Sequence, residues 1–136
     1  MIKTEDRTER FLDACRAHGL KITPQRMAIF KALDCESADH PSADSIHRQI
    51  RKEFPAISLD TVNRTLLTFS KIGLVTVVEG HGDPRRFDPN LEAHHHFYCL
   101  SCRKIFDFHD QALADLPIPE SVGTQFTVTG KRICLE

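Results

Sequence analysis

Between Glu5 and Phe69 the apolar residues recur at steps of three and four, the spacing of one face of a helix. Residues 5–18 carry Phe11, Leu12 and Cys15 near that spacing, and Gly19 reads as their stop. Thr23 before Pro24 predicts a helix cap with proline at the first helical position, and Met27, Phe30 and Leu33 supply the stripe that follows. Ser42 caps a third predicted helix with Ala43, Ile46 and Ile50 on one side. Ser58 caps a fourth, whose apolar face is Leu59, Val62, Leu66 and Phe69, and Gly73 ends it.

After Gly73 the period shortens. "LVTVVEG" is a β-branched strand, "GHGDPRR" a turn rich in Gly, Asp and Pro, and "RRFD" a returning strand. Helices followed by a short hairpin predict a winged helix-turn-helix, an architecture that reads DNA, with a plain helical module plus hairpin as the alternative. "DPNLEA" reads as a linker. Beyond it "HHHFYCL" and "KIFDF" are strands around "SCR", "DQALADLP" is a short helix closed by Pro117, and "GTQFTVTGKRICLE" alternates at Phe126, Val128 and Ile133 as a strand or hairpin. The predicted organisation is α/β (α+β): a winged-helix domain over 1–87, a linker over 88–93 and a small α/β domain over 94–136. So short a second half has a small core, and it should lean on a metal, the first domain or a second copy of itself.

Composition narrows the classes. Hydrophobic residues make up 40% of the 136 and charged residues 27%, the balance of an ordinary globular chain. No apolar run reaches the roughly 20 residues of a membrane span, and the first residues lack a signal-peptide core, so the expected place is the cytoplasm and no membrane is a partner. Five cysteines, an odd count, argue for reduced or metal-bound thiols over a disulfide framework. The net charge of −1 gives no basic footprint, so any DNA binding must come from clustering on one face.

The candidate chemistry concentrates in "AHHHFYCLSCRKIFDFH", residues 93–109. On a strand His94 and His96 share one face and His95 takes the other. Asp107, on the next strand, is within reach of the first face, and Asp88 and His40 are placed to close it from the N-terminal half. Three imidazoles and two carboxylates suit Fe(II), Mn(II) or Zn(II). The competing reading is solvated or core histidines. Cys99 and Cys102 form one CxxC, half of a thiolate zinc site, a buried pair, or a dithiol open to oxidation. Cys15 and Cys35 read as small core residues. His18, His47, His81 and His109 read as surface or spectator groups.

Taken together, "HGLKITPQRMAIFKAL", "HPSADSIHRQI", "SLDTVNRTLLTFSKIGLV", "RFD" and "HHHFYCLSCRKIFDF" occur in the order found in the ferric uptake regulator (Fur) family of repressors, which the chain resembles from about Glu9 to Arg132. The resemblance implies a homodimeric winged-helix repressor of double-stranded operator DNA with a C-terminal dimerisation domain. It implies regulatory ligands at His40, Asp88, His94, His96 and Asp107. Aspartates in "RFD" and "IFDF" resemble the peroxide-sensing branch, PerR, in which iron-bound protein is oxidised at a histidine ligand; here that would be His40 or His94. Ser58, Asp60, Thr61, Asn63 and Arg64 would face DNA, with Asn63 where the family usually has tyrosine; Asn reads adenine, and Arg reads guanine or phosphate. Family members usually continue past a segment like "RICLE" into a second CxxC that completes a zinc site; this sequence ends at Glu136, leaving Cys99 and Cys102 as a possible zinc pair or dithiol. The implied function is a non-enzymatic, stoichiometric switch. The alternatives are an iron- or manganese-responsive repressor without peroxide sensing, and a thiol redox sensor at Cys99 and Cys102. A metallohydrolase has no HExxH-like base to support it.

Overall fold

The computed structural model describes residues 4–78 and 85–136. The chain forms two compact units, one ending at Leu91 and the other beginning at Glu92.

The first unit holds helices α1 (Thr4–Ala17), α2 (Pro24–Cys35), α3 (Ala43–Ile50) and α4 (Leu59–Lys71), then strands β1 (Thr76–Val77) and β2 (Phe87–Asp88). The expected local signals set its boundaries. Thr23 accepts a hydrogen bond from the Arg26 amide, and Ser42 and Ser45 cap each other's backbone reciprocally. Gly19 and Gly73 take φ of +65° and +80° where α1 and α4 end, a conformation that penalises any side chain. The helices meet on three phenylalanines. Phe11 stacks on Phe30 at 4.7 Å between ring centroids, and Phe69 lies edge-on to both at 5.6 and 6.4 Å. Each such pair contributes about 0.5–1.5 kcal/mol beyond burial alone. Leu33, Ile46, Val62, Leu66 and Phe87 complete the core.

Two predicted stripes are displaced. Met27 is only half-buried while Ile29 and Ala32 go inside, because α2 packs on more than one neighbour and needs a wider apolar face than a three-step stripe. Leu59, read as core, is exposed at the first position of α4. Strands β1 and β2 pair antiparallel, Thr76 with Asp88 and Val77 with Phe87. Asp88 therefore closes a hairpin strand instead of opening a linker. Most of the predicted turn, with His81, lies outside the described residues.

The second unit is a three-stranded sheet with two short helices. Strands β3 (His95–Tyr98) and β4 (Ile105–Phe108) pair antiparallel, and β5 (Cys134–Leu135) runs parallel to β3 on its other edge. The short helix predicted in "DQALADLP" is present as α5 (Gln111–Ala114); the Asp110 side chain caps it by accepting from the Leu113 amide, and it ends three residues before Pro117. The C-terminal alternation does not become a strand at Phe126 or Val128. A short helix, α6 (Glu120–Gly123), and irregular backbone occupy that stretch, and pairing begins only at Cys134. Alternation supplies one apolar face but no hydrogen-bonding neighbour, and without one a strand does not form. No helix among the described residues is long and apolar enough to cross a membrane.

Candidate functional site

In the second unit three donors converge. The β3–β4 register sets His96 directly opposite Asp107, and His94, two positions before His96, falls on the same face. The Nε2 atoms of His94 and His96 are 3.1 Å apart, and the Asp107 carboxylate oxygen Oδ1 lies 3.6 Å from the first and 3.4 Å from the second. Both imidazoles are buried and Asp107 is one-third exposed. His94 Nδ1 sits against the Glu92 carbonyl, which can only accept, so Nδ1 carries the proton and a neutral His94 presents a bare lone pair on Nε2. His95 points away. Its Nδ1 accepts from the Ile133 amide at 3.1 Å and its ring packs on Phe108, so the middle histidine ties β3 to the C-terminal segment.

In the first unit His40 and Asp88 form a pair. His40 Nε2 is 3.7 Å from Asp88 Oδ2, and both side chains are fully buried. Asp88 Oδ1 accepts the Asn90 amide at 2.9 Å. His40 has φ +49°, a left-handed conformation uncommon outside glycine, at the end of the short helical turn Ser37–Asp39. The loop behind it is fastened to β2. Phe87 N–H donates to the Pro41 carbonyl at 2.9 Å, Ser42 and Arg86 form a β-bridge, and the Arg86 guanidinium donates to the Asp39 carbonyl at 3.2 Å.

Donors about 2.1 Å from one ion lie roughly 3.0–3.4 Å from each other. The separations within each pair or trio fall in that window or within about 0.3 Å of its upper end. Imidazole nitrogens with carboxylate oxygens are the donor set of a first-row divalent ion, and the tautomer imposed on His94 presents the correct lone pair. The residues therefore fit such an ion.

The CxxC sits in the turn after β3. Cys99 N–H donates to the Lys104 carbonyl, Arg103 N–H donates to the Cys99 carbonyl, and Arg103 takes φ +60°. The Cys99 thiol is held below its ordinary range, first by the Cys102 amide, then by the Cys102 thiol and the Ser101 amide. Burial pushes the Cys15 thiol up, in keeping with a core residue. Cys35 is exposed at the last position of α2, contrary to its reading as core.

Helix α4 turns its other face outward. Ser58 caps it, accepting from the Thr61 amide at 3.1 Å, so part of this hydroxyl's capacity is committed to the helix. Asp60 and Arg64 are exposed and joined across one turn at 3.0 Å, Thr61 is exposed, and Asn63 is half-buried beside them. The buried face of Val62, Leu66 and Phe69 fixes this orientation. Two residues were missed as contributors. His47, read as a spectator, donates from Nε2 to the Ile57 carbonyl at 2.9 Å and so anchors the turn that leads into α4. Arg86 holds the His40 loop through a backbone carbonyl, a contact no local pattern announces.

Residues 17–135 match the ferric uptake regulator family. The peroxide-responsive repressor PerR of Staphylococcus saprophyticus is 36% identical over 129 residues, 95% of this chain and 86% of that protein. Among solved structures, the ferric uptake regulator of Helicobacter pylori, described as having three functional metal-binding sites, is 27% identical with a TM-score of 0.76, covering 98% of this chain and 89% of that one. PerR from Streptococcus pyogenes, described as a peroxide sensor and gene regulator, is 30% identical with a TM-score of 0.55, covering 93% and 86%.

Proposed function

The chain belongs to the ferric uptake regulator family of metal-responsive repressors, and we propose that it is a peroxide-sensing member, releasing operator DNA when a histidine ligand of bound Fe(II) is oxidised. The observation that carries this reading is the convergence of the His94 and His96 Nε2 atoms on the aspartate Asp107, with a second His–Asp pair at His40 and Asp88. In this reading both sets would serve as ligands of the regulatory ion, as the resemblance to the family implies. Aspartate at both acidic positions, and 36% identity to a peroxide-responsive repressor, support the peroxide-sensing branch.

Bound Fe(II) would activate hydrogen peroxide beside the imidazoles that hold it; overall the imidazole would lose two electrons and gain one peroxide oxygen in place of a ring-carbon hydrogen, and the other oxygen would leave as water. His94 and His40 are the imidazoles exposed to that oxidation. The Glu92 carbonyl holds His94 in the tautomer that ligates, and Asp107 supplies negative charge to the cation. An added oxygen withdraws basicity from the ring and weakens its hold on the ion. The same donors hold Mn(II) without that chemistry, and Zn(II) fits them too.

Repressors of this family are DNA-binding dimers. In this chain the outward ridge Asp60, Thr61 and Arg64, with Asn63 and the cap Ser58, would enter the major groove, and the second unit would dimerise. Leu100 and Phe126 there are 68% and 67% exposed, apolar surface suited to a second copy. The protein would act as a stoichiometric switch in the cytoplasm, not as an enzyme.

The His94→Ala variant tests the ligand set. It is expected to lose regulatory Mn(II) and metal-dependent DNA binding together, measured by metal titration and DNA retention at fixed salt. Unchanged metal affinity and DNA binding would contradict the assignment. A second reading, a thiol sensor at Cys99 and Cys102, is favoured by the lowered Cys99 thiol. It predicts peroxide response with Mn(II) as well as Fe(II). A plain iron- or manganese-responsive repressor would use the same ligands and predicts no peroxide response at all.

A further inference from the structure

We propose that Arg86 is a positioning residue for the regulatory metal: its guanidinium sets the Asp39–His40 peptide and so directs the His40 imidazole toward Asp88. The inference rests on the reading of His40 and Asp88 as ligands.

His40 occupies a backbone conformation that does not hold itself. Its φ of +49° is left-handed, and Pro41 follows, with no N–H to help fix the chain. The peptide that enters His40 is pinned at both ends. Its N–H donates to the Ser37 carbonyl at a long 3.3 Å, and its carbonyl, that of Asp39, accepts from Arg86 at 3.2 Å. Two residues further on, the Pro41 carbonyl accepts from the Phe87 amide at 2.9 Å. Three consecutive residues of one strand segment thus act on one loop: Arg86 and Phe87 hold the chain on either side of His40, and Asp88 presents its carboxylate 3.7 Å from the imidazole.

Of these ties only the Arg86 contact is made by a side chain, so it is the one a substitution removes without altering the backbone pairing of β2. With the contact gone, the Asp39–His40 peptide can rotate, and the imidazole samples directions away from Asp88. Any ion that uses both groups must then reorder the loop on binding, which weakens its affinity. Groups that orient a ligand in this way typically change metal affinity by about 10–100-fold when removed.

The test uses the full chain, with Mn(II) affinity and the visible spectrum of bound Co(II) as readouts. Arg86→Ala is expected to lower Mn(II) affinity by about 10-fold or more and to change the Co(II) spectrum as the His40 nitrogen is displaced. Arg86→Lys, which keeps a cationic donor for the Asp39 carbonyl, is expected to recover part of the affinity. Arg7→Ala serves as the stability control, because it breaks the Arg7–Asp34 ion pair of the same unit. It should lower the melting temperature and leave both metal readouts unchanged. Wild-type affinity and spectrum in Arg86→Ala, or an equal loss in Arg7→Ala, would overturn the positioning role. His40→Ala separates the two layers of the argument. Undiminished Mn(II) affinity in that variant would overturn the ligand reading itself, whereas a loss there with none in Arg86→Ala would overturn only the role of Arg86.

Discussion

A single proton decides what His94 can do. Its Nδ1 donates to the Glu92 carbonyl, so the neutral ring offers Nε2 as a lone pair, 3.1 Å from the Nε2 of His96. HxH spacing made this pair legible in advance, because side chains two apart on a strand share a face. Asp107 was legible for the same reason once "KIFDF" was read as the neighbouring strand. Arg86 was not. It acts through a carbonyl 47 positions away, and spacing carries no trace of such a contact. The Cys99 thiol has a property the CxxC motif does not reveal. Hydrogen bonds from the Cys102 amide, the Cys102 thiol and the Ser101 amide favour the charged form of Cys99, so its thiolate appears at lower pH than an ordinary thiol's. Burial acts on Cys15 in the opposite sense. In metal-free protein Cys99 should therefore be alkylated while the pH is still too low for Cys15, and Cys15 should react last. Peptide masses across a pH series check this, and modification of Cys15 before Cys99 would contradict it.

Elements were legible where their ends are coded locally. The caps at Thr23, Ser42 and Ser58 and the stops at Gly19 and Gly73 each act within a few residues, and each is found. Strands depend on partners distant in sequence, which is why the alternation at Phe126 and Val128 misled and the four-residue α6 went unseen. Leu59 shares by spacing the face of Val62, Leu66 and Phe69, yet it is exposed at the first position of α4, where spacing alone does not ensure burial. That same face turns Asp60 and Arg64 outward, 67% and 78% exposed. Their mutual attraction adds little to stability at such exposure, so Arg64 is available to a partner. Arg64→Ala should weaken operator binding by about 1–3 kcal/mol, roughly 5- to 150-fold, with folding intact. A DNA titration at fixed salt measures it, and full affinity would remove Arg64 from the interface.

For the whole molecule, the family was legible from the order of motifs, each weak alone. The comparisons establish that membership, and the mixed helix-and-sheet fold agrees with it. Net charge said nothing useful, since a total of −1 does not report whether charge clusters on one face. At this scale we propose that peroxide acts on the histidines of the iron-loaded repressor and thereby releases DNA. The most direct test loads anaerobic protein in parallel with Fe(II) and Mn(II), adds hydrogen peroxide, and follows DNA release together with peptide masses. Release with iron alone, accompanied by one added oxygen on the His40 or His94 peptide, is the predicted result. Release with both metals and oxidation at Cys99 or Cys102, or no release with either, would contradict it.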